Sequence, residues 1–125
     1  MNILLDSHAL LWALHAPHKL RPEGRELIED PANTVFYSVG SVWELEIKCA
    51  KGKLSLPAGW VDSARQTGFA ELPIMAEDAS ASARLPWHHN DPFDRLFIAQ
   101  AHGRNWRFAT RDGIAHLYQV DVLVI

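Results

Sequence analysis

Near its start the chain runs Asn2-Ile3-Leu4-Leu5-Asp6-Ser7, a short apolar stretch that ends at an acidic residue. A run of this length and composition predicts a buried β-strand. The segment 8–14 follows directly, is apolar and favours a helix. A buried strand that leads at once into a helix is the repeating unit of proteins with a parallel sheet. This stretch therefore indicates the α/β class.

The same alternation of strands and helices continues along the chain. Further strands are predicted over 34–37, 69–74, 107–110 and 120–124. Helices are predicted over 23–29, 38–51, 57–66, 76–85, 93–102 and 113–118, and Gly103 is predicted to end the long apolar helix. We therefore predict one domain over residues 1–125, in which helices flank a central parallel sheet on both faces.

The composition is that of an ordinary globular protein. The 125 residues are 48% hydrophobic and 22% charged, which excludes a wholly disordered chain, a collagen and a coiled coil. Cys49 is the single cysteine, so neither an intramolecular disulfide nor a zinc site built from cysteines can form. This cysteine content is typical of proteins in a reducing compartment.

The net charge limits how the protein could bind nucleic acid. At −3 it is far from the strongly basic balance of proteins that bind nucleic acid through bulk charge. Any such contact must be local, or must be assisted by a metal ion or a partner. The apolar run from Ile3 to Leu5 is too short for a signal peptide or a membrane span, so we expect a cytoplasmic protein.

Four acidic residues occupy similar positions relative to the predicted elements. Asp6 and Asp112 each follow a strand, whereas Glu44 and Asp94 lie in the early turns of helices. These places share one edge of a parallel sheet, where ligands bind. Two carboxylates about 4 Å apart repel by about 4 kcal/mol at an effective dielectric constant of about 20, so a cluster of three or four destabilises the fold or raises the pKa values of its members unless a cation lies among them. Oxygen ligands suit Mg²⁺ or Mn²⁺, which predicts metal-dependent hydrolysis of phosphodiester bonds.

Each acid also has a local structural interpretation, which stays open at this point. Asp6 and Asp112 could cap the helices that follow them. Glu44 could form a capping box with Ser41 or an i,i+4 ion pair with Lys48. Asp94 could simply interact favourably with the dipole of its helix. Four independent caps need not converge on one edge, so the joint pattern favours the metal site.

Several neighbouring polar residues are weaker candidates. Ser7 and Thr110 could orient water or a carboxylate, or could be simple turn hydroxyls. His88 and His89 lie in a polar loop, where we expect an exposed pair rather than substrate contacts. Trp87 lies in the same loop and could stack on a base.

The predicted helix 38–51 combines basic and apolar features. A small basic patch at its end could contact a phosphate backbone or could be a solvated helix end. It consists of Lys48, Lys51 and Lys53. Apolar residues at helical spacings predict a stripe that packs in the core or at an interface. They are Val39, Val42, Trp43, Ile47 and Ala50.

Three segments resemble those of the PIN-domain ribonucleases, and within that family those of the VapC-type toxins of bacterial toxin–antitoxin pairs. They are Leu4-Leu5-Asp6-Ser7-His8-Ala9-Leu10-Leu11-Trp12, Ser41-Val42-Trp43-Glu44-Leu45-Glu46-Ile47-Lys48 and His88-His89-Asn90-Asp91-Pro92-Phe93-Asp94-Arg95-Leu96. The third continues as Phe97-Ile98-Ala99-Gln100-Ala101, and Thr110-Arg111-Asp112 completes the set. The similarity spans nearly the whole chain, and its Asp-Pro-Phe-Asp-Arg stretch is quite specific to one branch.

This resemblance implies a PIN-like, three-layer α/β/α fold and an RNA-cleaving site that binds Mg²⁺ or Mn²⁺. By motif matching, Asp6, Glu44 and Asp94 correspond to the three core metal-site acids. Asp112 corresponds to a fourth acid, which is often more variable in this family. Asp91 lies nearby and could assist.

The resemblance also implies partners. VapC-type toxins usually form homodimers and are neutralised by a small VapB-like antitoxin, whose tail commonly places an arginine or lysine near the acids. Two other functions stay open: a non-catalytic protein-binding module of the same fold, and a nuclease that prefers DNA or a structured junction. Three points stay open at this stage: which RNA is cleaved, whether one metal ion or two are bound, and which of the acids orients the attacking water.

Overall fold

The five predicted strands form one sheet in the computed structural model, which describes residues 1–125. They are β1 Asn2–Leu5, β2 Thr34–Ser38, β3 Ala70–Leu72, β4 Arg107–Thr110 and β5 Asp121–Val124. The strand order is β3-β2-β1-β4-β5, and every neighbouring pair is parallel. The α/β class and the central parallel sheet are therefore confirmed.

Six α-helices connect and cover the strands. They are α1 Ser7–His15, α2 Pro22–Glu29, α3 Val39–Ala50, α4 Trp60–Gln66, α5 Ala76–Ala83 and α6 Pro92–Arg104. Short 3₁₀ helices span Pro17–Lys19 and Gly113–Leu117. None of these helices combines the length and the apolar character that crossing a membrane requires.

The central strand β1 separates two apolar cores. Ile3 and Leu5 are fully buried in one core, and Leu4 is fully buried in the other, because successive side chains of a strand point to opposite faces. Leu10 of α1 joins the first core and Phe97 of α6 joins the second. Helices thus pack on both faces of the sheet, which confirms the three-layer α/β/α arrangement.

The register of the strands aligns their carboxyl ends. Leu5 of β1 lies beside Tyr37 of β2 on one side and Ala109 of β4 on the other. The chain leaves β1 towards β2 in one direction, and β4 lies on the opposite side of β1. Residues that follow β1 and β4 therefore meet at the point where the strand order reverses, which is the usual position of ligand sites in such sheets.

Several helix ends differ by a few residues from the sequence-based prediction, including that of α5, which ends at Ala83 rather than at residue 85, and backbone geometry accounts for two of the differences. Gly103 does not end α6, which continues to Arg104 and is closed by Asn105 at a φ of 57°. Asparagine is one of the few residues other than glycine that adopt this left-handed conformation readily. Helix α4 begins at Trp60 rather than at residue 57, because Gly59 precedes it with a φ of 77°.

The buried face of α3 also differs from the predicted apolar stripe. Trp43 is 59% exposed, whereas the buried residues of α3 are Gly40, Ser41, Glu44 and Leu45. The reason is close packing against α6: a Cβ atom at Gly40 would lie 2.8 Å from Leu96 Cδ2. Because α3 packs on α6 through the face that carries Gly40 and Ser41, the Glu44 side chain on that face points into the protein and Trp43 is left in solvent.

Candidate active site

A cavity of about 550 Å³ opens at the carboxyl end of the sheet. All four predicted acids line it, together with Asp91, so the structure brings together residues that lie up to 106 positions apart, from Asp6 to Asp112. Three basic residues contribute to the same lining. They are Lys48, Lys53 and Arg111.

Asp6 is fixed through both of its carboxylate oxygens. Its Oδ1 accepts the backbone N–H of Ala9 at 2.7 Å, which makes it the N-cap of α1. Its Oδ2 accepts the hydroxyl of Thr110 at 2.6 Å. Burial raises the pKa of Asp6, and these two hydrogen bonds oppose that effect. The capping interpretation is therefore right, and it is compatible with a place in the cavity.

Glu44 is held from α1 as well as from its own helix. The Ser7 hydroxyl donates to Glu44 Oε1 at 2.5 Å, and Lys48 Nζ lies 3.5 Å from Oε2. The predicted pair with Lys48 is thus present. The capping box with Ser41 is not, because Ser38 is the N-cap of α3 and Ser41 lies inside the helix, with its hydroxyl oxygen 3.1 Å from that of Ser7. Ser7 therefore orients a carboxylate, as Thr110 orients that of Asp6.

Asp91 and Asp94 bring two carboxylates to the start of α6. Asp91 is the N-cap, and its Oδ1 accepts the backbone N–H groups of Phe93 at 2.8 Å and Asp94 at 3.2 Å. Burial, followed by the neighbouring charges of Asp91 and Asp6, raises the pKa of Asp94 to about 7. Without a cation, Asp94 therefore retains a proton to a higher pH than an ordinary aspartate does.

Asp112 is tied to a histidine that the sequence did not indicate. Its Oδ1 caps the following 3₁₀ helix by accepting the N–H of Ile114 at 3.0 Å, as the local interpretation predicted. Its Oδ2 lies 2.8 Å from His89 Nε2, which is also 3.1 Å from Asp94 Oδ2. His88 is exposed as expected, but the prediction of an exposed His89 is wrong, since its side chain is only 13% exposed.

The signal for His89 was present in the sequence but was too weak to use. Its imidazole turns inward because the chain reverses between it and Asp91, whose backbone N–H donates to His89 Nδ1 at 3.1 Å. A histidine two residues before an N-cap aspartate does not by itself predict a buried side chain. The loop conformation that buries His89 depends on residues distant in sequence.

The donor set of the cavity fits a hard divalent cation. Only one of the five carboxylates contacts a lysine or arginine, namely Glu44 with Lys48. The other four make no ion pair with a lysine or arginine, and the pKa of Asp94 is raised to about 7, chiefly by burial. Carboxylate oxygens of Asp94 and Asp112 lie within 4.8 Å of one another. Carboxylate oxygens gathered in this way are the ligands that Mg²⁺ and Mn²⁺ prefer.

Basic side chains line the cavity beside the acids. Lys48 and Lys53 also line an adjoining groove with Lys51. Arg111 lines the cavity too, and its guanidinium lies 4.4 Å from the centre of the Trp12 ring. Positive charge is thus concentrated beside the acids, despite the negative net charge of the chain.

The sequence matches the PIN domain family over residues 3–123. Because this match covers nearly all of the chain, the protein belongs to the PIN-domain family. Sequence comparison with curated proteins finds no significant match.

Solved structures with the same fold include toxin–antitoxin proteins. VapBC2 from Rickettsia felis, bound to a DNA fragment from its promoter, superposes with a TM-score of 0.71 at 16% identity, covering 100% of this chain and 99% of that chain. FitAcB from Neisseria gonorrhoeae gives 0.62 at 22% identity, covering 97% and 96%. VapBC-5 from Mycobacterium tuberculosis, a member of the VapBC family of toxin–antitoxin systems, gives 0.58 at 18% identity, covering 99% and 97%. These similarities establish the fold.

Proposed function

We propose that the protein is a metal-dependent endoribonuclease and the toxin of a toxin–antitoxin pair. The observation that carries the proposal is the convergence of Asp6, Glu44, Asp94 and Asp112, with Asp91, on one cavity at the carboxyl end of the sheet. Membership of the PIN-domain family supports a nuclease. The toxin–antitoxin proteins among the structural neighbours support the biological role.

In this proposal, Asp6, Glu44 and Asp94 hold Mg²⁺, for which Mn²⁺ can substitute, and Asp112 completes the site with Asp91 beside it. When bound, the ion would lower the pKa of a water molecule and stabilise negative charge that develops on the phosphate. The protein fixes its acids in advance: Thr110 holds the Asp6 carboxylate, and Ser7 holds that of Glu44.

The basic rim is proposed to bind the RNA backbone. Lys48 and Lys53 line the cavity itself, and Lys51 extends the positive charge along the adjoining groove. Phosphate contacts of this kind position a strand without specifying its sequence. Loss of Lys51 or Lys53, neither of which pairs with an acid of the site, should therefore raise the KM for RNA more than it lowers kcat, because the acids remain in place.

The proposed partners follow from the same cavity. An antitoxin of VapB type would block the site by placing a cationic arginine or lysine side chain among the carboxylates, where it would replace the missing positive charge. VapBC2 and VapBC-5 support such a partner. The proposal includes a homodimer and a cytoplasmic location.

The test is cleavage of a labelled single-stranded RNA, with DNA of the same sequence alongside, in millimolar Mn²⁺ or in EDTA. Wild type should cleave RNA only with metal, and Asp94→Asn should be inactive but folded. Asp62→Asn removes an exposed carboxylate from α4, outside the cavity, and should be fully active. Cleavage of DNA alone would favour the structure-specific DNA nuclease. Absence of both metal binding and cleavage would favour the protein-binding module.

A further inference from the structure

We propose that His89 is a positioning residue of the acidic site: its imidazole donates one N–H to the carboxylate of Asp112, lies against the carboxylate of Asp94, and holds the two together for the cation. This inference rests on the proposed function. The two aspartates come from different elements, the start of α6 and the end of β4, and His89 Nε2 lies 3.1 Å from one and 2.8 Å from the other.

The surroundings of the ring determine which nitrogen carries the proton. His89 Nδ1 accepts the backbone N–H of Asp91 at 3.1 Å. A nitrogen that accepts a hydrogen bond has its lone pair free and carries no proton, so the proton of the neutral ring is on Nε2. The Nε2 atom therefore faces the two carboxylates as a donor. Held in this tautomer, His89 has no lone pair to offer a metal ion in the cavity.

A buried network fixes the backbone of His89 from behind. Its backbone N–H donates to the Tyr118 hydroxyl at 2.9 Å, and its carbonyl accepts from Arg95 Nη1 at 3.2 Å. The Tyr118 hydroxyl in turn donates to the carbonyl of Pro86 at 2.6 Å. His89 thus lies in a loop whose position is fixed by Arg95 of α6 and by Tyr118 at the end of the 3₁₀ helix before β5.

Arg95 is unusual because it is 3% exposed and contacts no carboxylate. Its guanidinium instead donates to the carbonyls of Ser82, Leu85 and Pro86 at 2.8–2.9 Å, and the Trp87 ring covers it at 3.6 Å. Burying a charge is costly unless it is fully hydrogen-bonded. Here the hydrogen bonds of the buried Arg95 guanidinium fix the conformation of one loop, and that loop places His89 beside the acids.

A neutral donor suits this place better than a charged one. A lysine or arginine between Asp94 and Asp112 would supply a full positive charge and would compete with the cation. The N–H of a neutral imidazole reduces the repulsion between two carboxylates and orients them, and it leaves their net charge available. Partners that orient metal-binding carboxylates in this way typically change metal affinity or activity by about 10–100-fold when removed.

The experiment compares Mn²⁺ affinity, measured by calorimetry, with the kcat and KM of RNA cleavage in three variants of the full chain. His89→Leu should weaken Mn²⁺ binding about tenfold or more, with KM for RNA unchanged at saturating metal. His89→Gln retains an N–H donor on a side chain of similar reach and should restore most of the affinity. His18→Leu removes an exposed histidine outside the cavity and should match wild type.

A spectroscopic measurement keeps the inference testable if His89→Leu does not fold. The long-range ¹H–¹⁵N spectrum of the metal-free wild type in mildly alkaline solution should show His89 with its proton on Nε2. A proton on Nδ1 overturns the inference, as does a folded His89→Leu that binds Mn²⁺ with wild-type affinity. If wild type cleaves RNA with Mn²⁺ while either of these results is found, only the role of His89 fails. If wild type neither binds Mn²⁺ nor cleaves RNA, the proposed function fails and this inference fails with it.

Discussion

The Thr110 hydroxyl donates to Asp6 Oδ2 at 2.6 Å across 104 positions of sequence. The same hydroxyl oxygen accepts the backbone N–H of Asp112 at 3.0 Å. One buried side chain at the end of β4 therefore links the acid that follows β1 to the acid that follows β4. This link lies where the strand order reverses, so the topology of the sheet and the geometry of the acidic cavity depend on the same residue.

We expect Thr110→Val to destabilise the metal-free protein by about 1–3 kcal/mol, because it leaves a buried carboxylate oxygen without its donor. The free energy of unfolding from urea titrations at neutral pH measures this effect. Thr67→Val is the matched control, since the Thr67 hydroxyl donates only to the carbonyl of Ser63 on the exposed side of α4. The control should change stability by less than about 0.5 kcal/mol. Equal stability of the two variants would contradict the importance of the link to Asp6.

The pKa of Asp94 predicts how stability depends on pH without metal. The pKa is about 7 in the folded protein, whereas the ordinary value for an aspartate is 3.8, so the folded state binds more protons than the unfolded state between these two pH values. The free energy of unfolding should therefore decrease as pH rises from about 4 to about 7, and then level off. The full effect of this one group is at most about 4 kcal/mol.

Urea titrations in EDTA at a series of pH values, on wild type and Asp94→Asn, isolate this contribution. The variant should lose the decrease that Asp94 causes. Asp78 acts in the opposite sense, because its hydrogen bonds to Arg104 lower its pKa and its contribution is lost only in more acidic solution. A wild-type protein whose stability does not fall relative to Asp94→Asn over this range would contradict the assignment.

The positions of the acids could be predicted from the sequence because each depends on one local rule. Asp6 directly follows β1, Asp112 lies two residues after the end of β4, and Asp94 lies in the first turn of a helix whose start is marked by Asp91 and Pro92. Parallel pairing then brings these positions to one edge. The distances between them, and the protonation of Asp94, required the structure, because they depend on how closely α3 and α6 pack.

The position of His89 could not be predicted, because it is decided by contacts distant in sequence. Tyr118, which holds its backbone N–H, lies 29 positions further along the chain. The orientation of α3 was also inaccessible from the sequence. Its apolar residues predicted one buried face, but the absence of a side chain at Gly40 allows α6 to approach on another, and Trp43 is left exposed. Hydrophobic periodicity counts apolar side chains, so it does not detect that a glycine such as Gly40 allows two helices to pack closely.

We expect Mn²⁺ to stabilise the wild-type protein, and to do so more strongly as pH rises from 5 to 8, because the ion competes with protons for the carboxylates. At about 100 times its dissociation constant, the ion should add about 2.7 kcal/mol, or roughly 10 °C in Tm for a chain of this size. Thermal unfolding with Mn²⁺ and with EDTA provides the measurement. Asp94→Asn should lose most of the response and Asp62→Asn none of it, whereas equal responses in the two variants would place the metal outside the cavity.

Two glycines in helices should respond in opposite directions to alanine. A Cβ atom at Gly40 would lie 2.8 Å from Leu96 Cδ2 and 3.0 Å from Phe97 Cε1, so Gly40→Ala should push α3 away from α6 and destabilise the fold by about 1–3 kcal/mol. Gly103 also lies inside a helix but has no neighbour within 4 Å of an added Cβ, so Gly103→Ala should stabilise by about 0.5–1 kcal/mol.

The same pair of variants tests whether helix packing sets the geometry of the acids. Glu44 lies one turn after Gly40, and Asp94 lies two residues before Leu96, so a displacement at the contact separates the two carboxylates. Gly40→Ala should therefore weaken Mn²⁺ binding measured by calorimetry, beyond its effect on stability, whereas Gly103→Ala should bind Mn²⁺ as wild type does. If Gly40→Ala remains folded at the temperature of the titration and binds Mn²⁺ with wild-type affinity, the spacing of α3 and α6 does not control the site.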